Sequence, residues 1–176
     1  VAGPFIMLPV AILIKLTSRG PVFHKQERAW LHCRPFTMLK FRTMASDSEK
    51  ETGPVWASPD DARILGVGRF LRRTHLDEIP QFINVLRGEM SIVGPRPERP
   101  HFVRSLLRSI PFYTERLEVK PGITGWSQVN LRYAASLESN AQKLVSDLYY
   151  IENMSLLLDI WIMVRTVGVM LGGRGV

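Results

Sequence analysis

The stretch Arg72-Arg73-Thr74-His75-Leu76-Asp77-Glu78 holds the residue types best able to do chemistry. If Thr74 caps a helix, Asp77 falls at its third position and Glu78 one later. There, free backbone N–H groups and the positive end of the helix dipole favour anions. Arg73, four residues before Asp77, flanks it if the preceding residues turn toward the site. Such a setting keeps Asp77 ionised and gathers phosphate oxygens beside it. A carboxylate poised near a bound phosphate can attack phosphorus and form an acyl phosphate. A second carboxylate beside it can hold Mg²⁺, which takes oxygen ligands from carboxylates and substrate phosphates. The same pattern, [ST]-x-x-[DE], also opens many ordinary helices, where the acidic residues only complement the dipole. The stretch alone leaves both readings open. Arg96, fixed between Pro95 and Pro97, has the same duality: a rigidly placed phosphate clamp, or a solvated arginine on a stiff turn. Trp126, after Gly125, reads as a stacking platform or as core.

Composition bounds these options. The 176 residues suit one domain, and 45% hydrophobic content excludes disorder. The single Cys33 excludes a disulfide framework and a Cys-based zinc site, and fits a reducing, cytosol-facing location. No P-loop, dinucleotide-binding, H-E-x-x-H or G-x-S-x-G motif is present, and His24, His32, His75 and His101 lack metal-ligand spacing. The net charge of +7 points to an anionic partner: nucleic acid, anionic lipid or a phosphorylated substrate. Of the 23 cationic residues, lysines occupy only positions 15, 25, 40, 50, 120 and 143. The arginine excess suits forked recognition of phosphate or carboxylate, though a GC-rich genome gives the same bias.

The elements that must position these residues follow from patterning. Residues 1–14 carry no charged or hydrogen-bonding side chain, and Pro9 interrupts them. The run then meets Lys15, Arg19, Lys25, Arg28, Arg34, Lys40 and Arg42, opposed only by Glu27. A full membrane span needs about 20 apolar residues, and runs of about 10–14 read as buried, re-entrant or signal-peptide segments. A signal peptide would carry its charges first. With no initiator Met and an apolar run from the first residue, the chain reads as lacking its true N-terminus. The expectation is a re-entrant membrane helix broken at Pro9 that returns to the basic side, over an ordinary buried helix.

Strands are expected over 22–28 and 36–43, forming a hairpin, and a loop over 46–61. Residues 63–73 carry Arg63, Arg69, Arg72 and Arg73, and Ile64, Val67 and Leu71 recur at helical spacing, weakened by Gly66 and Gly68. A helix is expected from Thr74 to a stop at Gly88, with Pro80 inside it. Further helices are expected over 98–109 and around 137–148. Residues 154–171, apolar but broken by Asp159 and Arg165, read as a buried or interfacial helix.

Five blocks then occur in order: G-P-V-F-H-K-Q-E-R from Gly20, K-F-R-T-M from Lys40, L-R-R-T-H-L-D-E-I-P-Q from Leu71, N-V-L-R-G-E-M-S-I-V-G-P-R-P from Asn84, and K-P-G-I-T-G-W from Lys120. Together they resemble the bacterial sugar transferases, the monotopic phosphoglycosyl transferases, over nearly the whole chain. The resemblance implies transfer of sugar-1-phosphate from a UDP-sugar to undecaprenyl phosphate, with release of UMP, as the first membrane step of exopolysaccharide or glycan assembly. It implies a ping-pong route with Mg²⁺. Asp77 would be the nucleophile forming a phosphosugar-aspartate, and Glu78 would support it by metal binding or proton handling. Arg72 and Arg96 match family arginines near phosphates, and Pro9 matches the break in the family's re-entrant helix. The ending Gly172-Gly173-Arg174-Gly175 resembles members linked to exopolysaccharide export.

The resulting expectation is an α+β, predominantly helical protein with a small hairpin and amphipathic interfacial helices. Residues 1–19 form the membrane helix with its basic flank, and 20–176 the catalytic domain. Asp77 and Glu78 are catalytic and the candidate Mg²⁺ ligands. Arg72, Arg73 and Arg96 bind phosphate. The partners are undecaprenyl phosphate, a UDP-sugar and the cytoplasmic face of the bacterial inner membrane. No nucleic acid is expected, and a homodimer is compatible. Two rivals stand beside this reading. A basic nucleic-acid module would use Phe23, Trp30, Phe36 and Phe41 as a stacking surface. A catalytically inactive membrane scaffold would have kept the fold without the chemistry.

Overall fold

The computed structural model describes residues 3–29, 31–45, 53, 55, 61–131 and 136–172. Trp30, most of the expected 46–61 loop and positions 173–175 of the terminal glycine motif lie outside them. Helix α1 (Gly3–Thr17) leads into an antiparallel hairpin of β1 (Phe23–Ala29) and β2 (Pro35–Phe41). Next come α2 (Gly66–Arg73), a 3-10 turn (Leu76–Glu78) and α3 (Gln81–Leu86). Strand β3 (Ser91–Val93), helix α4 (Pro100–Ser109), a 3-10 turn (Tyr113–Leu117) and β4 (Gly122–Thr124) follow. Helices α5 (Trp126–Asn130), α6 (Leu137–Glu152) and α7 (Leu156–Leu171) complete the chain. The protein is α+β and mostly helical, as the sequence predicts.

The hairpin pairs Phe23 with Phe41 in register, and along β2 Phe36 and Met38 turn to one covered face while Phe41 turns to the other, into a separate core with Leu71. Phe36 and Phe41 are therefore core residues, and Phe23 stacks on Phe41 with ring centroids 5.5 Å apart. Phe36 and Phe41 fill the interior, while Phe23 is 39% exposed and covers Phe41 from outside. Trp126 packs against Tyr149 and Trp161, at 5.0 and 5.2 Å.

Helix α1 buries only a stripe, Val10 and Ile14 with Met7 and Ala11 at its margin, against Phe41 and Leu71. Its helical geometry continues through Pro9, where the sequence predicts a break. Pro9 is exposed, and the packing of Val10 and Ile14 anchors the following turns. The guanidinium of Arg42 fixes the end of α1, donating to the Arg19 carbonyl at 2.5 Å and to Ser18 Oγ at 2.7 Å. No described helix is long and apolar enough to cross a membrane.

Two departures from expectation shape the site. First, Thr74 closes a helix instead of opening one. Its hydroxyl donates backward to the carbonyls of Phe70 and Leu71, at 2.8 and 3.2 Å, and it caps the C-terminus of α2. His75 then adopts a left-handed conformation (φ 54), and the chain tightens into the 3-10 turn. Pro80 explains the split: it has no N–H for the Leu76 carbonyl, so a continuous helix from 74 to 86 is disfavoured and Pro80 instead caps α3. Gly88 (φ 77) ends α3 as expected.

Second, β3 and β4 pair in parallel, which the short segments do not announce. A Cβ at Gly94 would lie 2.5 Å from the Lys120 carbonyl oxygen, so the two motif blocks touch through backbone that only glycine permits. The 94–97 turn is thereby seated on β4. Helices α4 and α6 pack with the 113–117 turn and Ala29 of β1 in a core of Val103, Leu106, Ile110, Tyr113, Leu117 and Leu144.

Candidate active site

Three segments converge on the carboxylate pair. From the end of β2, Lys40 Nζ reaches Glu78 Oε1 at 2.6 Å. From the turn after β3, Arg96 Nη2 donates to the same oxygen at 2.8 Å. From α2, Arg72 Nε donates to Thr43 Oγ1 at 2.9 Å, two residues beyond β2. Asp77 is buried, with 7% of its surface exposed, yet its carboxylate makes no hydrogen bond or ion pair among the described residues.

Buried hydrogen bonds hold this convergence. Asn84 has no exposed surface: its Oδ1 accepts from the Leu39 amide at 3.0 Å, and its Nδ2 donates to the Thr37 carbonyl at 2.8 Å. This stitches α3 to β2 beside Lys40. Arg28 Nη1 donates to the Pro97 carbonyl at 2.9 Å, and Arg116 Nη2 donates to the Arg96 carbonyl at 3.0 Å. The stiff turn predicted around Arg96 is thus tied down from both sides.

The two adjacent carboxylates are driven in opposite directions. Burial pushes the Asp77 carboxyl above the usual carboxylate range, aided by Glu78 and only partly opposed by Lys40, Arg72 and Arg96. Burial also pushes Glu78 upward, but Arg96 and Lys40, in direct contact, outweigh it and hold Glu78 well below that range. Arg96 is correspondingly raised by Glu78. Burial pulls Lys40 down, with Glu78 opposing. Neighbouring acids with divided proton affinities suit a pair in which one reacts and the other stays a fixed anion.

Of the predicted site residues, Arg72 and Arg96 act on the pair, while Arg73 is exposed and makes no contact with it. The reason lies at Thr74: α2 ends there, so Arg73 follows the outer face of its last turn instead of facing Asp77. The favourable helix N-terminus proposed for Asp77 is absent too, because Asp77 lies within a short 3-10 turn. Lys40 has no place among the predicted site residues, although it stands in the K-F-R-T-M block. The available signal was its register: in a strand, Lys40 shares a face with Phe36 and Met38, which are buried. Pro9 lies in α1, far along the chain from this cluster.

Among the described residues no group of three or more His, Cys, Asp or Glu side chains is placed to hold a metal. The donor set is two adjacent carboxylates, one already neutralised by Lys40 and Arg96. That fits an ion such as Mg²⁺, which draws most of its ligands from substrate phosphates and water.

The profile of the family described as bacterial sugar transferase matches residues 1–173. The chain is 46% identical over 170 residues to a UDP-N-acetylgalactosamine-undecaprenyl-phosphate N-acetylgalactosaminephosphotransferase of Aeromonas hydrophila, covering 97% of this chain and 40% of that protein. It is 44% identical over 171 residues to a UDP-glucose:undecaprenyl-phosphate glucose-1-phosphate transferase of Xanthomonas campestris pv. campestris, covering 96% and 35%. It is 41% identical over 175 residues to the uncharacterized sugar transferase EpsL of Bacillus subtilis, covering 97% and 80%. The chain spans less than half the length of the Aeromonas and Xanthomonas relatives.

Proposed function

Because the chain belongs to the bacterial sugar transferase family, we propose that it transfers sugar-1-phosphate from a UDP-sugar to undecaprenyl phosphate. The observation that carries the mechanism is the contrast at the pair: Asp77 is buried and has no hydrogen-bond or ion-pair partner among the described residues, while Glu78 is locked by Lys40 and Arg96. In the first step, an oxygen of the Asp77 carboxylate bonds to the sugar-side phosphorus. The bond from that phosphorus to the bridging oxygen breaks, and UMP leaves with the electron pair. In the second step, a phosphate oxygen of undecaprenyl phosphate attacks the phosphosugar-aspartate, forming the diphosphate and freeing Asp77.

Glu78 stays ionised throughout and fixes Lys40 and Arg96 beside the nucleophile. Arg96, 41% exposed at its side chain, retains N–H groups for phosphate oxygens. Arg72 adds positive charge felt by Asp77. Mg²⁺, when bound, would neutralise diphosphate oxygens, and Asp77 and Glu78 are the carboxylates at hand to hold it.

The substrate lipid places the reaction at a membrane surface. Apolar residues on α1 (Phe5, Leu8 and Leu16) and on α7 (Leu156, Leu157 and Val164) are 65–80% exposed. These two helices are the membrane-contacting elements of a monotopic protein on the cytoplasmic face, with α1 as one arm of a re-entrant segment and Lys15 and Arg19 at the lipid headgroups. The test of the reaction is donor carrying radioactive phosphate on the sugar side. Wild-type protein should become labelled and then release the label to undecaprenyl phosphate, and Asp77→Asn should do neither. Full turnover by Asp77→Asn would overturn the covalent route.

A further inference from the structure

Gln81 opens α3, one 3-10 turn after the carboxylate pair, and is only 2% exposed. Its Nε2 is fully buried and finds no hydrogen-bond acceptor among the described residues. A buried donor left unsatisfied is costly, so a site that keeps it calls for an occupant. Gln81 lines a small cavity with Arg28, Met38, Arg96 and Pro97, with room for roughly one oxygen-sized group.

The cavity walls are rich in donors. Arg96 contacts Glu78 only through Nη2, leaving its other N–H groups uncommitted among the described residues. Arg28 is engaged by Gln26, by the Pro97 carbonyl and by Glu98, 3.7 Å away, so it stands behind the cavity as a paired charge. The Pro97 carbonyl already accepts from Arg28. Burial pulls Arg28 down to about 10, opposed by Glu98 and aided by Arg96 and Arg99. A buried amide donor without an acceptor among the described residues, the remaining Arg96 N–H groups and room for one oxygen together describe an oxyanion seat.

We propose that this cavity receives one phosphoryl oxygen of a substrate, held by the Gln81 carboxamide and Arg96 with Arg28 behind them. Gln81 is then a substrate-binding residue lying beyond the carboxylate pair. The identity of the substrates rests on the reaction proposed above, and both supply the same chemistry: the diphosphate of the nucleotide donor and the monophosphate of the lipid acceptor.

The test uses Gln81→Leu, which removes the donor at similar volume, and Gln81→Glu, which places a carboxylate in the seat. Affinities for UDP, for a short-chain polyprenyl phosphate in detergent and for pyrophosphate are measured by calorimetry, with Tm in parallel. Gln81→Leu should weaken at least one ligand about tenfold, in line with losing one good hydrogen bond. Its Tm should hold or rise, because an unpartnered buried amide has been replaced by an apolar group. Gln81→Glu should weaken the same ligand further. Loss confined to UDP assigns the seat to the donor, and loss confined to the polyprenyl phosphate assigns it to the acceptor. Should leucine disturb folding, Gln81→Asn, which keeps the amide but withdraws it by one methylene, should show the same selective weakening. Unchanged affinity for all three ligands in the folded variants would overturn the seat. Wild-type protein that binds pyrophosphate in a Gln81-dependent way, yet turns over no UDP-sugar, would refute the transferase reading and keep the seat. Wild-type protein that binds none of the three would refute both.

Discussion

Arg116 lies 2.7 Å from Asp147 inside the protein, and the same Nη2 that meets this carboxylate donates to the backbone carbonyl of Arg96 at 3.0 Å. The pair is 6% and 1% exposed at its side chains. Ser127 donates to the other oxygen of Asp147 at 2.8 Å, and Tyr113 receives Arg116 Nη1 at 2.5 Å. A buried chain of contacts thus runs from α6 and α5 to the turn whose side chain grips Glu78. Its role is to position Arg96.

That role separates from stability. Arg116→Met strands a buried carboxylate and should lower stability by about 3–5 kcal/mol. The double variant Arg116→Met/Asp147→Leu removes both charges and should recover most of that loss. It still leaves the Arg96 carbonyl untethered, so KM for the nucleotide donor should rise about tenfold, the cost of roughly one lost interaction to a charged group. Thermal unfolding and initial rates measure the two effects. A double variant with restored Tm and wild-type KM would show that the pair only holds the fold.

Asp77 and Glu78 should respond oppositely to neutralisation. The folded carboxyl of Asp77 is raised, so the stability it lends is present below its unfolded value and is lost as pH rises through the folded value. Asp77→Asn should therefore increase Tm at neutral pH while abolishing turnover. The folded carboxyl of Glu78 is depressed, so its stability is present above the unfolded value, near 4.3, and is lost only as pH falls through the folded value. Glu78→Gln should lower Tm at neutral pH. Equal shifts of the same sign in both variants would contradict the division of the pair.

The pH–rate profile should reflect the same asymmetry. An attacking Asp77 must be ionised, so kcat/KM should fall on the acid side above the ordinary aspartate value of about 3.9. Lys40 holds Asp77 down, so Lys40→Met should move this limb to still higher pH. A limb that stays in place would remove Lys40 from the electrostatics of the nucleophile.

Two glycines of α2 give a paired control. A Cβ at Gly68 would lie 2.1 Å from the Thr43 carbonyl oxygen, so Gly68→Ala should push α2 off the end of β2 and separate Arg72 from Thr43. A stability loss of at least about 1–3 kcal/mol and a fall in activity are expected. Gly66, with nothing within 4 Å of its Cβ position, should tolerate alanine with a gain of about 0.4–1 kcal/mol. Chemical denaturation of both variants checks this.

Membrane contact is checked by flotation with anionic vesicles. Leu156 and Leu157, 76% and 80% exposed, should account for much of the binding by α7. Replacing both with Ser should reduce recovery with the vesicles and leave Tm unchanged. Undiminished flotation would move the contact away from α7.

The sequence by itself settled what is local or covalently patterned. Two short strand-like segments around a turn set the hairpin, Gly88 ends α3, and five ordered blocks identify the family. Asp77-Glu78 and Arg96 were legible because those residue types stand together or between prolines. Tertiary structure decided the rest. Which arginine faces Asp77 depended on α2 closing at Thr74 and on Pro80 splitting the next helix, a competition that the capping pattern alone ranks wrongly. Lys40, 38 residues from Glu78, reaches it only because Asn84 stitches α3 to the backbone of β2. The parallel pairing of β3 with β4, and the Arg116–Asp147 brace on Arg96, join positions whose separation leaves no mark on local periodicity. The opposed proton affinities of the pair follow from burial and from two converging cations, and neither exists until the chain has folded.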